Sequence, residues 1–466
     1  MVSRREFVGA GSAAIAAPAV MRAATRKLNL LFIMSDQHQR EASGCYGSRE
    51  VQTPHIDEIA ANGIRFDRTY CPAPVCVPSR GSLITGVYPH AHGARILEDP
   101  LPAETRTIAH YFRERGYVTG AIGKMHFVDE SLRHGFDHRL HLDDFMATLA
   151  PLERDMLRTD QGGAEAVAGR RSKLGAKLFQ DNWYAEKTVQ FLRENKNRPF
   201  CLWSSFFMPH TPLVPMKQYF DRYADAKLSL PKRTGQELED GFEGHLIRAK
   251  QRGWYGQSDE ELRRSLAGYY GNISQMDACV GRVYDALREL GLHKNTVVVY
   301  TSDHGEMAGA HRMWTKHNMY EQSVAVPLLV SVPDHLQAGS ARKQLIDGVD
   351  LFPTLTELCG LGAVKGLPGR SFAALVENGR YESREFVYSE YYFCRNVFTR
   401  DNHYVGKPPI LMVRTDKWKL NYLSWDRSEL FDMENDPGEF ENRIDDTGCA
   451  GVAKELTGIA ERLYKT

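Results

Sequence analysis

An α/β sandwich around a mainly parallel central sheet, joined to a small carboxyl-terminal antiparallel sheet with one helix, is the fold class this sequence predicts. Two observations predict it. Short, almost continuously apolar runs recur through the first four-fifths of the chain, most of them after a segment with helical spacing, and several such segments close on Gly. Beyond about residue 380 the texture changes to short alternating strands and an Asn-Asp-Pro-Gly turn at 435–438.

The first residues, MVSRREFVGAGSAAIAAPAVMRAATRK, pair Arg4 with Arg5 ahead of an Ala- and Gly-rich run with Ala-x-Ala-like sites. This resembles a twin-arginine export signal, so residues 1–26 are expected to be removed by the export machinery and the mature protein to be periplasmic or secreted. The run is too short to span a bilayer. KLNLLFIMSDQ follows, an apolar run ending in a carboxylate, as a buried parallel strand does. YVTGAIGKMH, PFCLWSSFFMPH, NTVVVYTSDHGE and VPLLVSVP read the same way. Helical periodicity marks PHIDEIAANG, TIAHYFRERG, NWYAEKTVQFLREN, SLAGYYGNISQMDACVGRVYDALRELG and DLFPTLTELCG. CVPSRGSLITG reads as a turn leading into a further helix. Residues 27–378 are therefore expected to form the α/β domain. Residues 379–466 form a smaller α+β domain with strands in FVYSEYYF, ILMVRTDKWKLNYL and ELFDMENDPGE and a last helix near 449–464. Two polar, charged stretches, 143–180 and 216–260, read as insertions over the top of the sheet that shape a pocket.

Lys plus Arg and Asp plus Glu each number 59, so net charge proposes no nucleic-acid partner. A hydrophobic share of 42% is that of a globular chain and argues against disorder. Eight cysteines (Cys45, Cys71, Cys76, Cys201, Cys279, Cys359, Cys394 and Cys449) show neither Cys-x-x-Cys nor zinc-type spacing, which leaves their pairing open.

In an open parallel sheet ligands gather at the carboxyl ends of the strands. There the sequence places Asp36-Gln37, Lys124 with His126, His210, and Asp303-His304. Two carboxylates, an amide oxygen and an imidazole suit a hard or borderline divalent cation, whereas zinc would call for a compact His or Cys pattern. Arg80, Lys124 and Lys316 add positive charge, so the pocket suits a tetrahedral oxyanion such as sulfate or phosphate.

The run Cys76-x-Pro78-Ser79-Arg80, continuing to Thr85-Gly86, resembles the signature of type I sulfatases, in which the cysteine is oxidised to formylglycine by a dedicated generating enzyme. TPHIDEIAANGIRF, YPHAHG, GYVTGAIGKMH, MPHTPL, TSDHGEMAGAHRMWTKHNMYEQSVAVPLLV and MVRTDKWKLNYL are similar to that family's segments, in the family's order. The resemblance implies the alkaline-phosphatase-like fold. It also implies that Asp36, Gln37, Asp303, His304 and the modified Cys76 hold one cation: calcium first, with magnesium or manganese as alternatives. Arg80 and Lys124 are then expected against the sulfate, His126 beside the second hydroxyl of the aldehyde hydrate, and His210 and Lys316 at the leaving oxygen. Many members carry Asp and Asn where Gln37 and His304 stand; the Gln and His pairing is found among phosphonate monoester hydrolases.

The expected activity is hydrolysis of the sulfuric ester of a sulfated carbohydrate or aryl sulfate. Phosphonate or phosphodiester hydrolysis is the second reading, and a non-catalytic oxyanion- or glycan-binding relative the third. His90 and His92 are read as ordering the loop behind Cys76. Tyr391, Arg395 and His403 are read as residues of the carboxyl-terminal domain near the pocket.

Overall fold

Leu30, Phe32 and Met34 pack into one hydrophobic cluster, Leu31 and Ile33 into another, and all five are buried. A strand covered on both faces must be apolar at every position, which is why its sequence shows no alternation. Each such side chain contributes roughly 1.5–3 kcal/mol of burial free energy. The computed structural model describes residues 27–162, 167–334, 337–398 and 402–465; the export-signal reading of residues 1–26 lies outside them.

Eight strands form the large sheet: β1 (Asn29–Asp36), β2 (Ile64–Tyr70), β3 (Val118–Gly123), β4 (His138–Leu140), β5 (Phe200–Pro209), β6 (Thr296–Ser302), β7 (Ala325–Ser331) and β8 (Ser340–Asp347). Their order is β4-β3-β5-β1-β6-β7-β2-β8. All neighbours pair in parallel except at β7, which runs antiparallel to both β6 and β2. Helices cover both faces. Asp259–Glu289 and Gln180–Asn195 pack their apolar residues, such as Val280, Val283 and Leu192, into the cluster with Leu31 and Ile33. Ile108–Arg113 and Leu351–Leu358 close the other face through Phe112 and Leu355.

The carboxyl-terminal sheet is antiparallel, in the order β12-β11-β10-β9, with β9 Val387–Tyr391, β10 Ile410–Arg414, β11 Trp418–Tyr422 and β12 Glu429–Asp432. The helix Ala450–Tyr464 lays Leu456 and Ala460 on Leu411, Val413 and Leu420 of that sheet. ILMVRTDKWKLNYL is thus a hairpin of two strands, turning at Thr415 through Lys417.

Candidate active site

Four parallel strands lie side by side as β3, β5, β1 and β6, so their carboxyl ends share one edge of the sheet. β1 ends on Asp36, and Gln37 follows in the left-handed region at φ 70°. At the end of β3, Gly123 has φ 101°, and a Cβ there would stand 1.8 Å from the Ser205 carbonyl oxygen. Only glycine fits, and the chain then presents Lys124 and His126. β5 ends at Pro209 before His210, and β6 at Ser302 before Asp303-His304.

Cys76 is the first residue of the helix Cys76–Thr85, all ten residues of which are buried. Val75 is extended and offers no side-chain cap, so the positive end of the helix lies at Cys76. His92 braces the helix from behind: its Nε2 lies 3.0 Å from Ser82 Oγ and 3.2 Å from the Pro78 carbonyl oxygen. His90 is paired with Glu390, so both histidines of YPHAHG order structure behind the site.

Asp36, Cys76, Asp303 and His304 each bring one ligand atom into a group within 4.8 Å of one another, and all four are buried. Arg80 spans the two carboxylates, donating from NH2 to Asp36 at 2.9 Å and from Nε to Asp303 at 2.7 Å. Lys124 Nζ lies 2.6 Å from Asp36 Oδ2 and 3.9 Å from Cys76 Sγ. His304 places Nε2 at 3.1 Å from Cys76 Sγ, while Nδ1 sits 3.0 Å from the Gly305 carbonyl oxygen. A carbonyl only accepts, so Nδ1 carries the hydrogen and Nε2 is the ligand face. His210 follows the same logic: Nδ1 lies 2.7 Å from the Thr211 carbonyl oxygen and Nε2 accepts from Lys316 Nζ at 2.8 Å. Lys316 also donates to Gln37 Oε1 at 2.5 Å.

The electrostatics distinguish one cysteine from seven. Burial pushes the thiols of Cys45, Cys71, Cys201, Cys279, Cys359, Cys394 and Cys449 up. Burial opposes charge on Cys76 too, yet Lys124, Lys316 and His304 hold it well below the ordinary thiol value. All eight are free thiols in the structure. Burial and Cys76 oppose charge on Asp36, but Lys124, His210 and Arg80 hold it below the usual carboxylate range. Burial raises Asp303 against the pull of Arg80. His210 is lowered to about 4 by burial and by Lys316 and Lys124, which keeps its ring neutral.

Cys76, Lys124, His210 and Lys316 open on a cavity of about 790 Å³, also lined by His126 and His317, with a wall from the 143–180 stretch that includes Phe145, Arg158 and Phe179; Asp36, Gln37, Arg80, Asp303 and His304 are not among its lining. That insertion does shape the pocket. The second stretch, 216–260, contributes no lining residue: its helix Glu243–Gln251 sends buried Arg248 to the Lys316 carbonyl oxygen at 2.5 Å and Thr315 Oγ1 at 2.7 Å, from behind. Tyr391, Arg395 and His403 are likewise absent from the lining; Tyr391 is buried under His317, ring centres 5.7 Å apart. The sequence marks Ser79 as part of the Cys76-x-Pro78-Ser79-Arg80 run but not its bond, Oγ donating to the Asp303 carbonyl oxygen at 2.5 Å, and sequence reasoning missed Glu306, buried behind Gln37. The acidic position after Asp303-His304-Gly305 was the available signal for Glu306.

The sulfatase family model matches residues 28–361, and the model described as N-sulphoglucosamine sulphohydrolase, C-terminal, matches 309–465. The chain belongs to the sulfatase family. This sulfatase is 30% identical to an arylsulfatase of Clostridium perfringens over 452 residues, with 90% of each chain covered. It is 30% identical to a choline-sulfatase of Rhizobium meliloti over 438 residues, covering 90% of this chain and 82% of that one. In fold it matches the phosphonate monoester hydrolase of Agrobacterium radiobacter with a TM-score of 0.80 at 22% identity, covering 94% of this chain and 95% of that one. An enzyme solved with its substrate D-glucosamine-2-N,6-O-disulfate matches with a TM-score of 0.76 at 23% identity, covering 94% and 98%. The family's reaction is hydrolysis of sulfuric esters, and its members in general use a metal ion and formylglycine.

Proposed function

We propose that this sulfatase cleaves the sulfate ester of a glycan or aryl alcohol at residue 76, converted to formylglycine, with one divalent cation held by Asp36, Gln37, Asp303, His304 and that residue. The observation that carries the reading is the buried Asp36-Cys76-Asp303-His304 group beneath Arg80 and Lys124. The donor set fits a cation: two carboxylates, an amide oxygen and an imidazole that turns Nε2 toward Cys76. Hard oxygen donors favour calcium over softer ions.

When bound, such an ion polarises sulfate oxygens and favours loss of a proton from a coordinated hydroxyl. Formylglycine supplies, as its hydrate, two hydroxyls on one carbon, one to attack and one to let the product go, which serine lacks. The chain's own groups do the rest. Arg80 and Lys124 hold the oxygens on which negative charge is borne. His126, which lines the cavity with Cys76, takes the proton of the second hydroxyl in this reading. His210 Nε2 and Lys316 Nζ share a hydrogen 2.8 Å apart, and that pair supplies the proton the leaving oxygen needs.

Maturation by a formylglycine-generating enzyme and export through the twin-arginine signal to the periplasm complete the reading. Supporting it are the Cys76-x-Pro78-Ser79-Arg80 run and the paired Arg4 and Arg5. Mass spectrometry of the Cys76 peptide from co-expressed protein is expected to show a loss of about 18 Da, a covalent change that sequence does not record. Rates with an aryl sulfate, sulfated disaccharides and a phosphonate monoester decide the substrate class. The Gln37 and His304 pairing favours the phosphonate as second reading, and a phosphonate preference of several orders of magnitude would replace the first.

A further inference from the structure

Glu306 is fully buried, three residues beyond Asp303, and has no place in the chemistry above. Its two oxygens do different things. One, Oε1, accepts from the backbone N–H of Ala308 at 3.0 Å and from that of Thr315, tying together the two arms of the loop that carries Lys316. The other, Oε2, accepts from Gln37 Nε2. At the far end of the same amide, Lys316 Nζ donates to Gln37 Oε1 at 2.5 Å. An ammonium can only donate and a carboxylate only accept, so both neighbours dictate one orientation of the amide.

The Gln37 backbone is fixed independently. Its N–H donates to Asp303 Oδ1 at 3.1 Å, and its carbonyl accepts from Tyr269 OH at 2.8 Å. What remains for Glu306 to decide is which end of the side-chain amide faces the site. We infer that Glu306 is a positioning residue that turns Gln37 Oε1 toward the cation and Lys316, an inference that rests on the proposed role of Gln37 as a ligand. The reversed amide would aim two hydrogens at an ammonium and at a metal ion, and both would repel it. Outer partners of metal ligands act in this way, by fixing which atom is offered.

Glu306→Gln separates bracing from positioning. It keeps Oε1 for Ala308 and Thr315 but puts a donor where Gln37 Nε2 needs an acceptor. Calorimetric titration of metal-free protein with calcium, and with magnesium and manganese in parallel, is expected to show affinity falling roughly 10–100-fold. Melting of the metal-free variant should match the parent. The double variant Q37E/E306Q exchanges the carboxylate and the amide, restores a donor-acceptor match, and is expected to recover most of the loss. E306Q that binds calcium like the parent would overturn the inference and leave the metal reading standing. E306Q that melts far below the parent, with no recovery in the double variant, would assign Glu306 to bracing alone and also overturn it. A parent protein that binds none of the three ions would remove the metal reading and this inference together.

Discussion

Two buried charge networks lie in this molecule, and they are built to opposite ends. At the strand edge Asp36 and Asp303 face Arg80 and Lys124, and Lys316 and Glu306 hold opposite ends of the Gln37 amide, beside an open cavity. Where the carboxyl-terminal sheet meets the main body, Lys419 Nζ lies 3.1 Å from Glu321 and 2.7 Å from Glu439, with Arg414 at 3.8 Å from Glu321. The second set is balanced, and Lys419 and Glu439 are wholly buried. The first turns two of its cations, Lys124 and Lys316, toward a pocket, the condition for holding an anion. Left-handed backbone occurs in both, at Gln37, His126, Thr315 and His317 (φ 60° to 77°) around the first and at Glu439 (φ 59°) in the second, and costs of order 1–3 kcal/mol each. A network closed on itself fastens two sheets together; one whose cations open on a cavity marks where chemistry is done.

The largest effect that would test this contrast is Cys76→Ala. Turnover should fall by roughly four orders of magnitude or more, while the melting temperature moves by no more than about 3 °C. Survival of activity in that variant would overturn the central claim. Lys419→Met should do the reverse. Breaking a buried pair from one side costs about 3–5 kcal/mol in urea unfolding, and turnover per folded molecule should not change. A variant as stable as the parent would mean that this network fastens nothing.

The smallest effect concerns a buried carboxylate with no ion pair among the described residues. Asp277 accepts the N–H groups of Ile56 at 2.8 Å and His55 at 3.3 Å, at the start of the helix Pro54–Ala61. Burial pushes it up to about 7, partly offset by those two bonds. The folded state therefore holds this proton more tightly than the unfolded chain, where the carboxyl titrates near 3.9. Its contribution is whole below about pH 4 and is lost as pH rises through about 7, with a slope of at most about 1.4 kcal/mol per pH unit. Asp277→Asn should flatten that part of the stability curve, and unchanged slopes in the two proteins would refute the assignment.

The edge that carries the site was legible because buried parallel strands are apolar throughout and stop abruptly at polar residues such as Asp36, His210 and Asp303. The reversed direction of β7 was not: AVPLLVS reads as an apolar run whichever way it points. β2 and β8 escaped because IRFDRTY and SARKQLID interleave charges, as strands with one partly solvated face do. Arg248 and Glu306 escaped for a different reason. Each acts through contacts between segments distant in sequence, to Lys316 and Gln37: the acid three residues after Asp303 is visible in the sequence, but what it meets is not.

The wholly buried helix Cys76–Thr85 sets an order in time. Cys76 is 1% exposed, and Pro78 and Arg80 lie under the sheet edge with it. An enzyme that reads that run as an extended peptide has no access to it once the helix has docked, so the proposed conversion of Cys76 calls for action before the chain folds. On that proposal, the fraction of molecules that become active is set by a race between modification and folding, decided in the cell that makes the chain.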